Sequence, residues 1–323
     1  MSLLEVKGLK TYFTIENEVI PAVDGVSFSI DEGEIVALVG ESGSGKSITA
    51  MSIMGLVPKP GKVMEGEIIF NNENLLHKKE KEMCKIRGNE VSMVYQNPMS
   101  SLNPMIPIGN QVAEALIIHQ KISKYEAKKE AIKMMELVGI PDASSRYKDY
   151  PSQFSGGMRQ RIMIAMAIVC QPKILIADEP TTALDVTIQA EILELLKSLI
   201  KEYKLSILLI THDLGVVAEM ADRVCVMYCG KIMEDTTKAN LFRNPLNPYT
   251  RRLIKCIPRA DDKADILYTI GGNVPHPSDF PKGCRFSTRC EEVIERCKGE
   301  TPPLIAVGEK HQVRCWLYHG EEE

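Results

Sequence analysis

The octapeptide Gly40-Glu41-Ser42-Gly43-Ser44-Gly45-Lys46-Ser47 fits the pattern GxxxxGK[ST] and constrains this chain more than any other stretch. Before it, Glu34-Ile35-Val36-Ala37-Leu38-Val39 is short, apolar and partly β-branched, which reads as a buried strand. After it, the apolar stretch from Ile48 to Leu56 reads as a helix. Strand, glycine loop and helix in that order are the setting a phosphate-binding loop requires. The glycines let the backbone curl and turn its N–H groups onto phosphate oxygens. The helix N-terminus adds partial positive charge. Lys46 then falls to the β- and γ-phosphates, and the Ser47 hydroxyl to Mg²⁺.

Two further apolar runs end in polar residues. Ile174-Leu175-Ile176-Ala177 ends at Asp178-Glu179, and Leu205 to Thr211 ends at His212-Asp213. Adjacent carboxylates at a buried strand end are costly without partners. A Mg²⁺ shell supplies one for Asp178, which leaves Glu179 to polarise a water. A parallel strand would bring His212 to the same ligand-bearing sheet edge. Gln96 follows the apolar run Val91 to Tyr95, and the Pro- and Asn-rich stretch Asn97 to Pro104 reads as a loop rather than a helix.

Residues 105–170 read as helical. There, Glu126 to Ala131 form a solvated face, and Met134, Met135, Leu137 and Val138 turn toward a core. Gly139 and Pro141 punctuate that helix. Ser155-Gly156-Gly157 opens another apolar helix, Met158 to Val169, and makes a second anion site. The helix after Asp185 carries Ile188, Ile192, Leu195, Leu196 and Leu199 at spacings of three and four. Residues 1–30 suggest antiparallel strands with Tyr12-Phe13 between them, residues 71–90 a charged surface helix, and Arg223 to Met233 closing strands.

Taken in order, the phosphate loop, Gln96, Phe154-Ser155-Gly156-Gly157-Met158-Arg159-Gln160, Ile174 to Glu179, Ala183-Leu184-Asp185 and His212 resemble the nucleotide-binding subunit of ABC transporters. That resemblance implies an α/β fold over residues 1–240. It would have a P-loop RecA-like core, an antiparallel β subdomain and a helical subdomain near 97–170. It implies that Tyr12, ahead of Phe13, stacks on adenine. Gly40, Ser42, Gly43, Gly45, Lys46, Ser47 and Ile48 would bind ATP. Ser47, Gln96 and Asp178 would surround Mg²⁺, and Glu179, His212 and Gln96 would serve hydrolysis. Ser155, Gly156, Gly157 and Asp185 would act in trans, across a head-to-tail dimer. Phe154 and Met158 depart from the commonest signature, Leu-Ser-Gly-Gly-Gln, so Met158 is given no capping role.

The wording from Gln96 to Pro104, and Asn244-Pro245-Leu246-Asn247-Pro248-Tyr249-Thr250, resemble ATPases of the peptide/nickel import group. This implies two transmembrane permease subunits, a second ATPase subunit that is commonly a different chain, and an extracellular solute-binding protein. The work would be done at the cytoplasmic face of the membrane. Di- or oligopeptides are the first choice of cargo, nickel or another small solute the second. The rival from another class is a soluble ABC ATPase of DNA repair or ribosome work. Such proteins usually carry two cassettes, long coiled-coil insertions or basic tracts, and this chain has one cassette and neither of the others.

The 323 residues are 44% hydrophobic and 25% charged, an ordinary globular composition. The net charge of −4 lends no electrostatic support to a nucleic-acid partner. No apolar run approaches the ~18–20 residues of a membrane span. The N-terminus opens directly into a strand-like stretch, so the chain is expected to be soluble and cytosolic by itself.

Residues 241–323 lie beyond the expected cassette. There Cys284, Cys290, Cys297 and Cys315 are spaced C-x5-C-x6-C-x17-C in a polar segment rich in Pro and Gly. Disulfides do not suit a cytosolic ATPase. A Cys₄ zinc site usually shows close C-x2-4-C knuckles. A [4Fe–4S] cluster needs four thiolates and tolerates irregular spacing, so it ranks first, zinc second and no metal third. Such a tail is expected to bury little core of its own. Replacing Cys290 by serine is therefore expected to loosen the tail and leave ATP binding largely retained. Cys170, Cys225 and Cys229 read as small core residues.

Overall fold

The computed structural model describes residues 2–16, 18–182, 184–257 and 269–319, with the side chain of Met99 outside that description. Ala183, quoted above, lies outside the described residues. In chain order the strands are β1 (Ser2–Ile15), β2 (Glu18–Asp31), β3 (Ile35–Val39), β4 (Lys62–Phe70), β5 (Glu73–Asn74) and β6 (Val91–Val94). They continue as β7 (Ile174–Asp178), β8 (Ser206–Thr211), β9 (Arg223–Tyr228), β10 (Lys231–Thr237), β11 (Ile305–Gly308) and β12 (His311–Val313). The chain divides into two compact units. No helix among the described residues is long and apolar enough to cross a membrane.

One unit comprises Asp31–Glu34 and His77–Leu209. β6 and β7 pair in parallel, from Val91 opposite Ile174 to Val94 opposite Ala177. Every residue of both strands is buried, the continuous apolar pattern of a sheet covered on both faces. The rest of the unit is largely helical, including Ile108–His119, Lys124–Leu137, Gly156–Ile168 and Val186–Tyr203. Ile192, Leu196 and Leu199 of the last helix are buried, as their spacing predicts. Met134, Met135 and Val138 are also buried, but Leu137 is 38% exposed at the border of that stripe.

A second departure is the stretch after Gln96, where Pro98–Ser101 forms one helical turn instead of a loop. Proline suits a first helical position, and the Ser100 and Ser101 hydroxyls donate to the Asn97 carbonyl at 3.1 and 2.8 Å.

The other unit comprises Ser2–Ile30, Ile35–Leu76 and the chain from Ile210 onward. Its first sheet has the order β2-β1-β4-β5, with β1 antiparallel to β4. Tyr12 and Phe13 lie within β1 rather than between strands, because β1 runs unbroken to Ile15. Its second set of strands has the order β3-β9-β10-β12-β11, with β3 parallel to β9 and β10 antiparallel to both neighbours.

The residues beyond 240 bury more than expected. Tyr249, Phe286 and Val313 are at most 1% exposed. Tyr228 of β9, Tyr249 and Phe286 pack as a trio in tilted and edge-on contacts, with ring centroids 4.6 to 5.3 Å apart. Such aromatic pairs add to the area they bury. The tail therefore shares one apolar cluster with Ala37, Val39 and Val226. Glu234 of β10 fastens it further, accepting from the N–H groups of Leu246 and Asn247 and pairing with the His311 ring at 2.8 Å.

Candidate functional site

The glycine loop follows β3 and leads into the helix Lys46–Met54. Gly40 has φ +153°, and a Cβ there would lie 2.0 Å from the Met227 carbonyl oxygen. Gly45 has φ +102°, and its Cβ would meet the Ala22 carbonyl at 2.3 Å. Backbone approach on this scale admits only glycine. The Lys46 ammonium folds back over the loop, donating to the carbonyls of Gly40 at 2.8 Å and Glu41 at 3.0 Å and to the Ser44 hydroxyl at 3.3 Å. It is 6% exposed, whereas Ser42, Gly43 and Ser47 are exposed and Ile48 is half-buried. Gly45 stands at the helix N-cap and has no side chain with which to cap it, and a helix N-terminus suits an anion. His212 lies exposed in the same unit, just after β8.

Tyr12 sits beside an open depression lined by Thr14, Lys59, Pro60, Gly61 and Lys62. Its hydroxyl donates to Asp24 at 2.9 Å, and burial together with that bond raises the phenol to about 12. Asp24 also meets Lys231 at 2.9 Å. Burial works against its charge, but these partners hold it down at about 2.

In the other unit β7 ends at Asp178, 5% exposed, and the chain turns at Glu179 with φ +48°. A left-handed glutamate is strained by ~1–2 kcal/mol, the kind of strain that gathers at functional sites. Gln96 Nε2 donates to the Glu179 carboxylate at 2.7 Å, and the Thr182 hydroxyl donates to the same oxygen at 2.9 Å. Gln96 and Glu179 are thus brought together across 83 residues. Nothing in the sequence singles out Thr182 except that it follows the carboxylate by three residues, one helical-turn spacing.

Ser155 caps the helix Gly156–Ile168, its hydroxyl accepting from the Met158 N–H at 3.3 Å. Gly156 has open space around its α-carbon, while a Cβ on Gly157 would press the Ile188 side chain at 2.7 Å. Asp185 caps the helix Val186–Tyr203, accepting from the Ile188 N–H at 3.0 Å. Gln160, quoted above without a role, is 2% exposed and donates to the Pro180 carbonyl at 2.6 Å. The signature helix is thereby tied to the turn beyond Glu179.

Cys284, Cys290, Cys297 and Cys315 all line one narrow cavity, together with Phe286, Arg314 and Trp316. Burial, with a smaller contribution from the neighbouring cysteines, pushes Cys284 up to about 12 and Cys315 to about 11. No group of three or more His, Cys, Asp or Glu side chains able to hold a metal ion occurs among the described residues. Cys170, Cys225 and Cys229 are buried as small core residues.

Comparison with known proteins identifies the family. The family described as "ABC transporter" matches residues 23–182, and "Oligopeptide/dipeptide transporter, C-terminal region" matches residues 233–297. The chain is 54% identical over 321 residues to the oligopeptide transport ATP-binding protein AppD of Bacillus subtilis, covering 99% of this chain and 98% of that one. It is 45% identical over 315 residues to the dipeptide transport ATP-binding protein DppD of Escherichia coli, covering 98% and 96%. Among solved structures it resembles the dimeric post-hydrolysis state of the ATP-binding cassette MJ0796 bound to ADP and Pi. That likeness has a TM-score of 0.66 and 30% identity, over 73% of this chain and 98% of that one.

Proposed function

This chain belongs to the ATP-binding subunits of ABC transporters, in the oligopeptide/dipeptide group, and from that premise we propose how it works. It hydrolyses ATP and energises the import of di- or oligopeptides. The observation that carries this is the loop from Gly40 to Ser47, curled by two obligatory glycines around the Lys46 ammonium. In the proposed mechanism the Lys46 ammonium neutralises phosphate charge, and Ser47, Gln96 and Asp178 are the Mg²⁺ set. Glu179, held by Gln96 and Thr182, takes a proton from the attacking water. His212 contacts the γ-phosphate, and Tyr12 stacks on adenine. Ser155, Gly156, Gly157 and Asp185 complete the site of a second ATPase subunit.

The cassette is assigned to residues 1–240, with the helical subdomain at about 97–170 and the extension at 241–323. Two permease subunits hold it at the cytoplasmic face, and a solute-binding protein delivers cargo. A membrane preparation carrying the chain with its co-purifying permeases should take up a labelled dipeptide only with ATP present. ATP-driven uptake of Ni²⁺ in place of peptide would transfer the assignment to the nickel branch.

For the extension we propose a [4Fe–4S] cluster, with structural zinc as second choice. Support comes from four thiols on one cavity and from their chemistry. Burial raises the Cys284 and Cys315 thiols, so a cation that binds them as thiolates would release their protons. Arg314 on the same wall suits the net negative charge of a thiolate-ligated cluster. A single zinc needs sulfurs converging at about 2.3 Å on one point, whereas a cubane spreads its four ligands over separate irons. Protein purified without oxygen should hold ~4 iron per chain and absorb broadly near about 400 nm, and Cys290→Ser should bleach it. Stoichiometric zinc without iron would install the zinc reading.

A further inference from the structure

Cys284 and Cys290 bracket a short segment, Arg285-Phe286-Ser287-Thr288-Arg289, whose two arginines leave the cysteine cavity in the direction of the nucleotide loops. The Arg289 side chain is 4% exposed and spends all its donors. Nη1 and Nη2 grip the two carboxylate oxygens of Glu41 at 2.7 and 3.0 Å, a bidentate fork. Nη1 also reaches the Tyr228 hydroxyl at 3.2 Å, while Nε and Nη2 donate to the carbonyls of Gly271 and Ile270.

Glu41 is the second residue of the phosphate loop and is held at three points. Its carboxylate meets Arg289. Its N–H donates to the Tyr249 hydroxyl at 3.0 Å. Its carbonyl accepts from Lys46 at 3.0 Å. At the other end of the segment, Arg285 donates to Asp24 at 2.7 Å, the carboxylate that also receives the Tyr12 hydroxyl. Phe286, between the two arginines, lines the cysteine cavity and is 1% exposed, so neither arm moves without it.

We propose that Arg289 and Arg285 are positioning residues, through which the Cys284–Cys290 segment sets the shape of the phosphate loop and of the Tyr12 platform, and with it nucleotide affinity. This deepens the ATP-site reading above and rests on it. It also revises one expectation from the sequence, that disturbing Cys290 leaves ATP binding largely retained. The Arg289 main chain is bonded directly to Cys290, and its carbonyl is held by Arg252 Nη1 at 2.7 Å. A shift of Cys290 is therefore a shift of the Glu41 clamp.

The test titrates the purified full chain with a fluorescent ATP analogue and Mg²⁺. Arg289→Ala is expected to weaken binding about tenfold, inside the usual range of coupling between sites. Glu41→Gln removes the anion from the half-exposed loop side and should weaken it similarly. The double variant should be no worse than Arg289→Ala alone, because the Glu41 contact is already gone in that variant. Arg289→Lys should recover only part of the affinity, since an ammonium cannot form the fork. Cys290→Ser should weaken binding by a smaller factor.

Thermal unfolding of each variant shows whether the fold survives, and Glu41→Gln keeps the test alive if Arg289→Ala does not fold. If Glu41→Gln and Arg289→Lys bind within twofold of the parent while Lys46→Ala loses binding, the positioning role is overturned and the nucleotide site stands. Unchanged binding in Cys290→Ser overturns the link to the cysteine cavity. If Lys46→Ala itself binds normally, the nucleotide reading is what fails.

Discussion

Replacing Glu179 by glutamine is expected to reduce ATP hydrolysis at least about 100-fold while leaving ATP bound, because only the proton-accepting charge is lost. The geometry favours a clean substitution. Gln96 and Thr182 both donate to one carboxylate oxygen, and a glutamine carbonyl can take its place. The backbone at φ +48° is already paid for by its surroundings and is no worse for glutamine than for glutamate. The variant should accumulate as a closed, nucleotide-loaded dimer, visible as a larger species in size-exclusion chromatography with MgATP. Parental turnover in this variant would remove Glu179 from the mechanism.

Lys46→Ala is expected to act one step earlier, lowering ATP affinity by about 10- to 100-fold, the scale of a lost charge-assisted contact. The structure adds a second reason. The ammonium bonds the carbonyls of Gly40 and Glu41 and the Ser44 hydroxyl, so its removal also loosens the curl of the loop. Isothermal titration reads the loss. The same variant tests action in trans: mixed with Ser155→Arg, it can leave one composite site intact, provided these chains pair with each other. Activity that is insensitive to the mixing ratio would argue against signature capping across the dimer.

Much of this was legible in the sequence because local chemistry and local structure coincide. The run Ile35–Val39 followed by glycines can be little else than a strand and a tight loop, and β7 and β8 show the same continuous burial. Ser155 and Asp185 stand where helix caps stand, and they do cap helices. Other features were not legible, because they depend on partners distant in the chain. Glu41 occupies a variable place in its motif, and nothing nearby hints that Arg289, 248 residues later, will hold it. Thr182 and Gln160 look like filler until the turn at Glu179 is folded. The tail misled in a different way. Its Pro- and Gly-rich composition suggests little burial, yet a few aromatic rings placed against Tyr228 are enough to join it to an existing core.

The pairing of β12 on β10 also bears on solubility. In the order β3-β9-β10-β12-β11, the last two strands come from beyond residue 300 and close over what would otherwise be the open side of β10. A chain cut at residue 240 would present the β10 backbone as a bare edge, with the buried Glu234 deprived of the His311 ring and of the Leu246 and Asn247 N–H groups. Unpaired edges recruit other strands, and natural sheets avoid leaving them uncovered. In this protein the segment that carries the cysteines thus also serves as an edge guard, and a minimal cassette made by trimming it would be prone to self-association before its catalysis could be measured.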